Sequence, residues 1–308
     1  MLLFVANTLL PVFLVMALGW LLARLEFLSS RALADINRLT YWLGLPALLF
    51  YKLAGTAPGF ARVLDLFLVV AGATLLGMIL ALLAARWLTL SREALGPFVQ
   101  AAFRGNLAFI GLPVVVYTFP GQGDIQGAAL LVLGPMVVFY NVASVLVLML
   151  SLPPTGRRVL PALARGLVTN PLLIACVAGV GWSLTGWPLP LMLERTLAAL
   201  GQMALPLALL CIGGSLVTVR LRGRVGPALL AAAFKTLIIP LLGVGLAWLL
   251  GVEGEGLRVT LILLACPTAA ASYVLVRQMG GDQGLASGAV LATTLLSLPA
   301  LVLVLALT

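Results

Sequence analysis

The chain has 308 residues, of which 63% are hydrophobic and 9% charged, and its mean hydropathy is +1.20. Soluble domains carry about 45–50% apolar and about 25% charged residues, so this composition fits lipid rather than water as the solvent. The net charge of +9 does not point to nucleic acid, because the basic residues stand singly between apolar runs and form no single patch.

The apolar runs are continuous rather than alternating, which excludes a β-barrel and predicts an all-α polytopic membrane protein. At roughly 20 residues per span, ten helices are expected: 3–23, 36–55, 63–88, 97–119, 125–150, 160–184, 189–218, 225–250, 257–279 and 284–306. The opening stretch MLLFVANTLLPVFLVMALGWLLAR has no basic n-region and is too long for a signal-peptide core, so it reads as a retained first span. The second span carries Pro46 among leucines. The third opens near Asp65, which reads either as a protonatable coupling group or as a helix cap. The fourth, RGNLAFIGLPVVVYTFP, brings Arg104, Gly105, Asn106, Gly111 and Pro113 into an apolar run. Arg104 reads as a charge at the entrance to a site or as a cytoplasmic anchor.

In the fifth span Tyr140 and Asn141 lie deep enough to contact a substrate or a neighbouring helix. Asn170, followed by Pro171, has the chemistry of a helix N-cap. Lys235 stands near the middle of the eighth span, too deep to snorkel readily, and is a candidate counter-charge for an anion or for Asp65. The ninth span holds Pro267, Thr268, Ser272 and Tyr273 within CPTAAASYVLV. Cys176, Cys211 and Cys266 lie far apart and the chain has no histidine, which leaves metal, cofactor and disulfide readings without support.

Lys and Arg divide unevenly between the connections. Arg24, Arg31, Arg38, Arg86, Arg92, Arg157, Arg158, Arg165, Arg220, Arg222, Arg224 and Arg277 fall in the odd ones. Only Lys52, Arg62, Arg195 and Arg258 fall in the even ones. The positive-inside rule then puts the odd connections in the cytoplasm and both termini outside. The short connections suggest a bacterial inner membrane.

The halves 1–151 and 159–308 also resemble each other. ALGWLL at 17–22 answers GVGWSL at 179–184, and LPALL at 45–49 answers LPLALL at 205–210. Pro113 answers Pro267, and QGAALLVL at 126–133 answers QGLASGAVL at 283–291. With five spans per half, the second enters from the opposite side, giving a 5+5 inverted repeat. Paired, interrupted spans in inverted repeats are a signature of secondary transporters, whose substrate sits at the broken helices. Pro113 and Pro267 have small and polar neighbours, unlike Pro46 and Pro206, so spans 4 and 9 are the predicted broken pair.

RGNLAFIGLP, NPLLIACVAGVGW, LPLALLCIGGSL and CPTAAASYVLVRQMGGD together resemble the auxin efflux carrier family, which includes the plant PIN transporters. The resemblance runs through essentially the whole chain. It implies a scaffold of spans 1, 2, 6 and 7 that forms a homodimer, and a mobile domain of spans 3–5 and 8–10. In that domain spans 4 and 9 would cross at Pro113 and Pro267. Plant members carry an Asn-Pro-Asn-Thr-Tyr motif where this chain has FIGLPVVVY, and their long loop is reduced here to SLPPTGRRVLP. The cation excess near the crossing favours a small organic anion, auxin-like or another carboxylate, as substrate. An inside-negative potential supplies about 2.3 kcal/mol per charge per 100 mV for exporting one. A sodium- or proton-coupled symporter on a plan like that of bile-acid carriers is the alternative. A polytopic membrane enzyme is a remote one, because no catalytic cluster is visible. No filter motif for a channel is visible either.

Overall fold

A computed structural model describes residues 2–55, 60–151, 165, 168–217 and 225–308. Its helices, in chain order, begin with α1 (Leu2–Arg24), α2 (Ser30–Leu39), α3 (Leu45–Ala54) and α4 (Phe60–Trp87). There follow α5 (Arg92–Phe103), α6 (Leu112–Thr118), α7 (Gly123–Ser151), α8 (Pro171–Leu184) and α9 (Leu191–Ser215). The chain closes with α10 (Val225–Ala233), α11 (Ile239–Leu249), α12 (Gly254–Ala265), α13 (Ala271–Met279) and α14 (Gln283–Leu307). Strands are absent among the described residues, which agrees with the all-α expectation. Arg157, Arg158, Arg220, Arg222, Arg224, the stretch 152–161, the start of the sixth predicted span and the side chain of Arg62 lie outside the described residues.

Six helices are long and apolar enough to cross a membrane: Leu3–Arg24, Val63–Trp87, Gly123–Ser151, Leu191–Ser215, Val225–Leu249 and Gln283–Leu307. Leu14, Leu83, Leu150, Val177, Leu241 and Leu303 are exposed on helix surfaces. Such an apolar girdle would aggregate in water and is stable against lipid tails. Exposed Trp87 and Trp248 near helix ends suit the headgroup boundary.

Proline shapes the helices in a regular way. A proline ring clashes with the carbonyl four residues back, and a wider π turn relieves that clash. π turns occupy Thr40–Gly44, Leu107–Gly111 and Phe234–Ile238, and each ends two residues before a proline: Pro46, Pro113 and Pro240. Pro113 therefore lies inside a resumed helix and does not break one. Asn170 caps α8 as the sequence predicts, its Oδ1 accepting the Leu172 amide at 2.9 Å.

Within a bilayer, helices associate through close packing of small residues. Gly19 lies against the Leu210 backbone and Gly213 against that of Met16, so α1 and α9 meet where neither position has room for a Cβ. Gly201 packs on Leu48 and Gly179 on Phe50 and Leu53, which adds α3 and α8 to the same group. Elsewhere α4 packs on α11 and α5, α5 on α7, and α10 on α14. The π turn at 107–111 and α6 reach across to α9 and α1, so the segment after α5 stands where the two groups meet.

Candidate functional site at the paired helix breaks

Two helical stretches are interrupted in mid-course, and the interruptions hold each other. α5 ends at Phe103, where Arg104 takes an extended conformation, and helix resumes at Leu107. α12 ends at Ala265, Cys266 is extended, and helix resumes at Ala271. Backbone groups freed by a break in lipid need partners inside the protein. They find them in one another: Asn106 N–H donates to Pro267 O at 2.8 Å, and Ala269 N–H donates to Arg104 O at 3.0 Å. Gly105 and Thr268 form an antiparallel bridge between these bonds.

Pro267 is thus at a break, as the sequence predicts, but its counterpart is Arg104-Gly105-Asn106 and not Pro113. Sequence reasoning misses this because proline is the visible breaker, whereas the first break uses glycine. Gly105 admits the second chain where a Cβ would lie 3.1 Å from Cys266 Sγ, 3.2 Å from Lys235 Cε and 3.3 Å from the Tyr140 hydroxyl. Pro267→Ala is therefore expected to reduce function more than Pro113→Ala or Pro46→Ala, whose prolines both follow π turns. Solute flux at matched expression checks this ordering, and equal losses would remove the distinction.

Thr268 latches the break from inside. Its hydroxyl donates to Ala101 O, one of the carbonyls α5 leaves open at its C-terminus, at 2.6 Å. Its amide donates to the Thr293 hydroxyl of α14 at 3.1 Å.

Two buried cations stand at these helix C-termini, where the macrodipole is negative. Lys235 is 0% exposed, and its ammonium donates to Leu264 O near the end of α12. It neither snorkels nor pairs with Asp65. Gly72 meets Leu246 and Gly77 meets Ile239 across α4 and α11. At a helical rise of about 1.5 Å, that register sets Asp65 roughly 25 Å from the level facing Lys235. Asp65 is half-buried in the second turn of α4 and is not its cap, since that helix begins at Phe60.

Arg104 is 9% exposed, which is incompatible with a cytoplasmic anchor. One guanidinium nitrogen donates to Asn141 Oδ1 at 2.7 Å, while NH1 has no hydrogen-bond partner among the described residues. Tyr140 packs its ring on Phe103 at 6.1 Å between centroids. Gly111 is packed closely beside the breaks, where a Cβ would lie 3.2 Å from Leu263.

Of the residues singled out by sequence, Arg104, Asn106, Gly111, Tyr140, Asn141, Lys235, Pro267 and Thr268 come together around the breaks. Pro113 and Asp65 do not. Tyr273 turns away, its hydroxyl 3.5 Å from Gln283 Oε1 and its ring beside Arg277. Ser272, the second residue of α13, is buried without a hydroxyl partner among the described residues. Gln100 and Ser144, equally buried and unpartnered, carry no sequence signal beyond their spacing of four from Arg104 and Tyr140.

The chain is similar in sequence to known transport proteins. The chain is 29% identical over 305 residues to an "Uncharacterized transporter" of Methanothermobacter thermautotrophicus, covering 96% of this chain and 95% of that one. It is 30% identical over 309 residues to a "Putative malonate transporter" of Rhizobium meliloti, covering 95% of this chain and 92% of that one. The sequence profile of the family described as membrane transport protein matches residues 4–159 and again 153–305. The chain therefore belongs to that membrane transport family, the auxin efflux carriers.

Proposed function

We propose that the protein is a secondary transporter that carries a small organic anion by alternating access, with the carboxylate held at Arg104 beside the paired helix breaks. The observation that carries this reading is the enclosed Arg104, with NH1 unpartnered among the described residues. An uncompensated buried charge costs several kcal/mol, and an anionic substrate supplies the missing compensation. Lys235, beside Gly105, adds a second positive charge to the same region.

In this reading the ten predicted spans form a 5+5 inverted repeat whose broken members are α5–α6 and α12–α13. The group α1, α3, α8 and α9 acts as a dimeric scaffold, and the remainder moves against it, with both termini outside an inner membrane. The mobile unit carries the breaks as one piece, because two mutual backbone hydrogen bonds tie them together. Malonate, which the Rhizobium meliloti relative is named for, heads the substrates to test.

Purified protein in liposomes with an imposed potential is expected to move a labelled organic acid without a sodium or pH gradient. Flux that requires either gradient would replace uniport with coupled symport. No flux for any acid in a panel of mono- and dicarboxylates would overturn the anion reading.

A further inference from the structure

Three enclosed polar side chains on three neighbouring helices lie at about one level, one turn from Arg104. Gln100 on α5 and Ser144 on α7 are 0% exposed, and Ser272 on α13 is 2% exposed. Neither amide atom of Gln100 and neither serine hydroxyl has a hydrogen-bond partner among the described residues. Buried polar groups in folded proteins are nearly always satisfied, so three at one level call for an explanation.

The helix registers put them at one level. α5 and α7 run antiparallel, with Gly96 against Leu148 and Ser151 and Gly105 against Tyr140. Ser144 lies four residues from both Tyr140 and Leu148, hence on the same face and midway between those contacts. Gln100 occupies the matching midpoint of α5. Val276 of α13 packs with Leu148, and Ser272 lies one turn before it, on the same face and nearer the breaks. Gln100 in turn precedes Arg104 by four residues, about 6 Å along the helix.

We propose that Gln100, Ser144 and Ser272 form a second polar subsite that binds the far end of the substrate, so that the transported acid is short and polar at both ends. This rests on the transport reading above and deepens it. The Gln100 amide and two hydroxyls can all donate, and on α5 the charged residue nearest to Gln100 in sequence is Arg104, one turn away. That combination suits an anionic or strongly accepting group and repels a metal cation. A diacid with one or two methylenes between its carboxyls spans the distance from Arg104 to this level. An acid with an apolar tail would leave three polar groups dry and unpaired, which is how sites built from hydrogen bonds reject such analogues.

Malonate and propionate differ by the second carboxylate and make the test. In liposomes, Gln100→Leu and Ser144→Ala are each expected to lower the ratio of malonate to propionate transport efficiency about tenfold. Their thermal stability is expected to stay at or above that of the wild type, because an unpartnered polar group is replaced by an apolar one. An unchanged ratio in both variants, with malonate still carried by the wild type, would overturn the subsite and leave the transport reading intact. Stabilisation by sodium alone that Ser144→Ala abolishes would overturn it in favour of a cation site. A wild type that carries no organic acid would defeat the transport reading first, and this subsite with it.

Discussion

Arg104→Met is expected to lower anion flux about 100-fold or more while leaving the protein folded. Charge-assisted hydrogen bonds contribute about 1.5–3 kcal/mol each, and each 1.4 kcal/mol is roughly a factor of ten in affinity. Losing the guanidinium also removes the charge that draws an anion into an apolar enclosure. The cost to the fold runs the other way. A buried ion is expensive to desolvate, and an apolar side chain of similar volume in its place is often neutral or stabilising. The melting temperature in detergent should therefore stay within a few degrees of the wild type, with Asn141 losing its hydrogen-bond donor. Arg104→Lys keeps the charge but loses the fork that reaches Asn141 and a carboxylate together, and partial flux is expected. A melting temperature that falls steeply in Arg104→Met, with flux falling only in proportion to folded protein, would make Arg104 a structural residue.

Gly105→Val is expected to abolish flux and to destabilise the protein by about 1–3 kcal/mol, the usual range for overpacking a filled core. A Cβ alone at this position reaches to within 3.1–3.3 Å of Cys266, Lys235 and Tyr140. The two methyl groups of valine then have no space unless the breaks separate, and separation sacrifices the bonds from Asn106 to Pro267 and from Ala269 to Arg104. Gly245→Val is the matched control, since a Cβ there meets nothing within 4 Å. Thermal melts and liposome flux on the two variants check the contrast. Equal behaviour would mean that the close approach at Gly105 is not what holds the site together.

These two residues also show where sequence reading stops. Arg104 was visible as a charge in an apolar run, because a charge costs too much in lipid to be there without a reason. Its partner was not, since Asn141 lies 37 positions away and the pairing depends on how α5 leans on α7. Pro113 is the more conspicuous breaker in the sequence, but the break falls at Gly105. Proline announces a local backbone constraint, but a π turn absorbs that constraint at Pro113. Glycine creates an opening that matters only when another chain arrives to fill it. Lys235 and Asp65 looked like a possible pair by charge alone, and the antiparallel register of α4 and α11 separates them.

By itself the sequence determined the lipid environment, the helical class, the approximate limits of the six long helices, the cap at Asn170 and membership of a transport family. All of these follow from composition, run length and short motifs, which act within a few residues of each other. Only the tertiary structure decided that residues 104–106 and 266–269 are the opposed breaks and that Lys235 closes the end of α12. Only it brought Gln100, Ser144 and Ser272 to one level. Those facts depend on contacts between residues from 29 to more than 160 positions apart. Helix packing sets such contacts through small residues and register, and a linear pattern does not encode them.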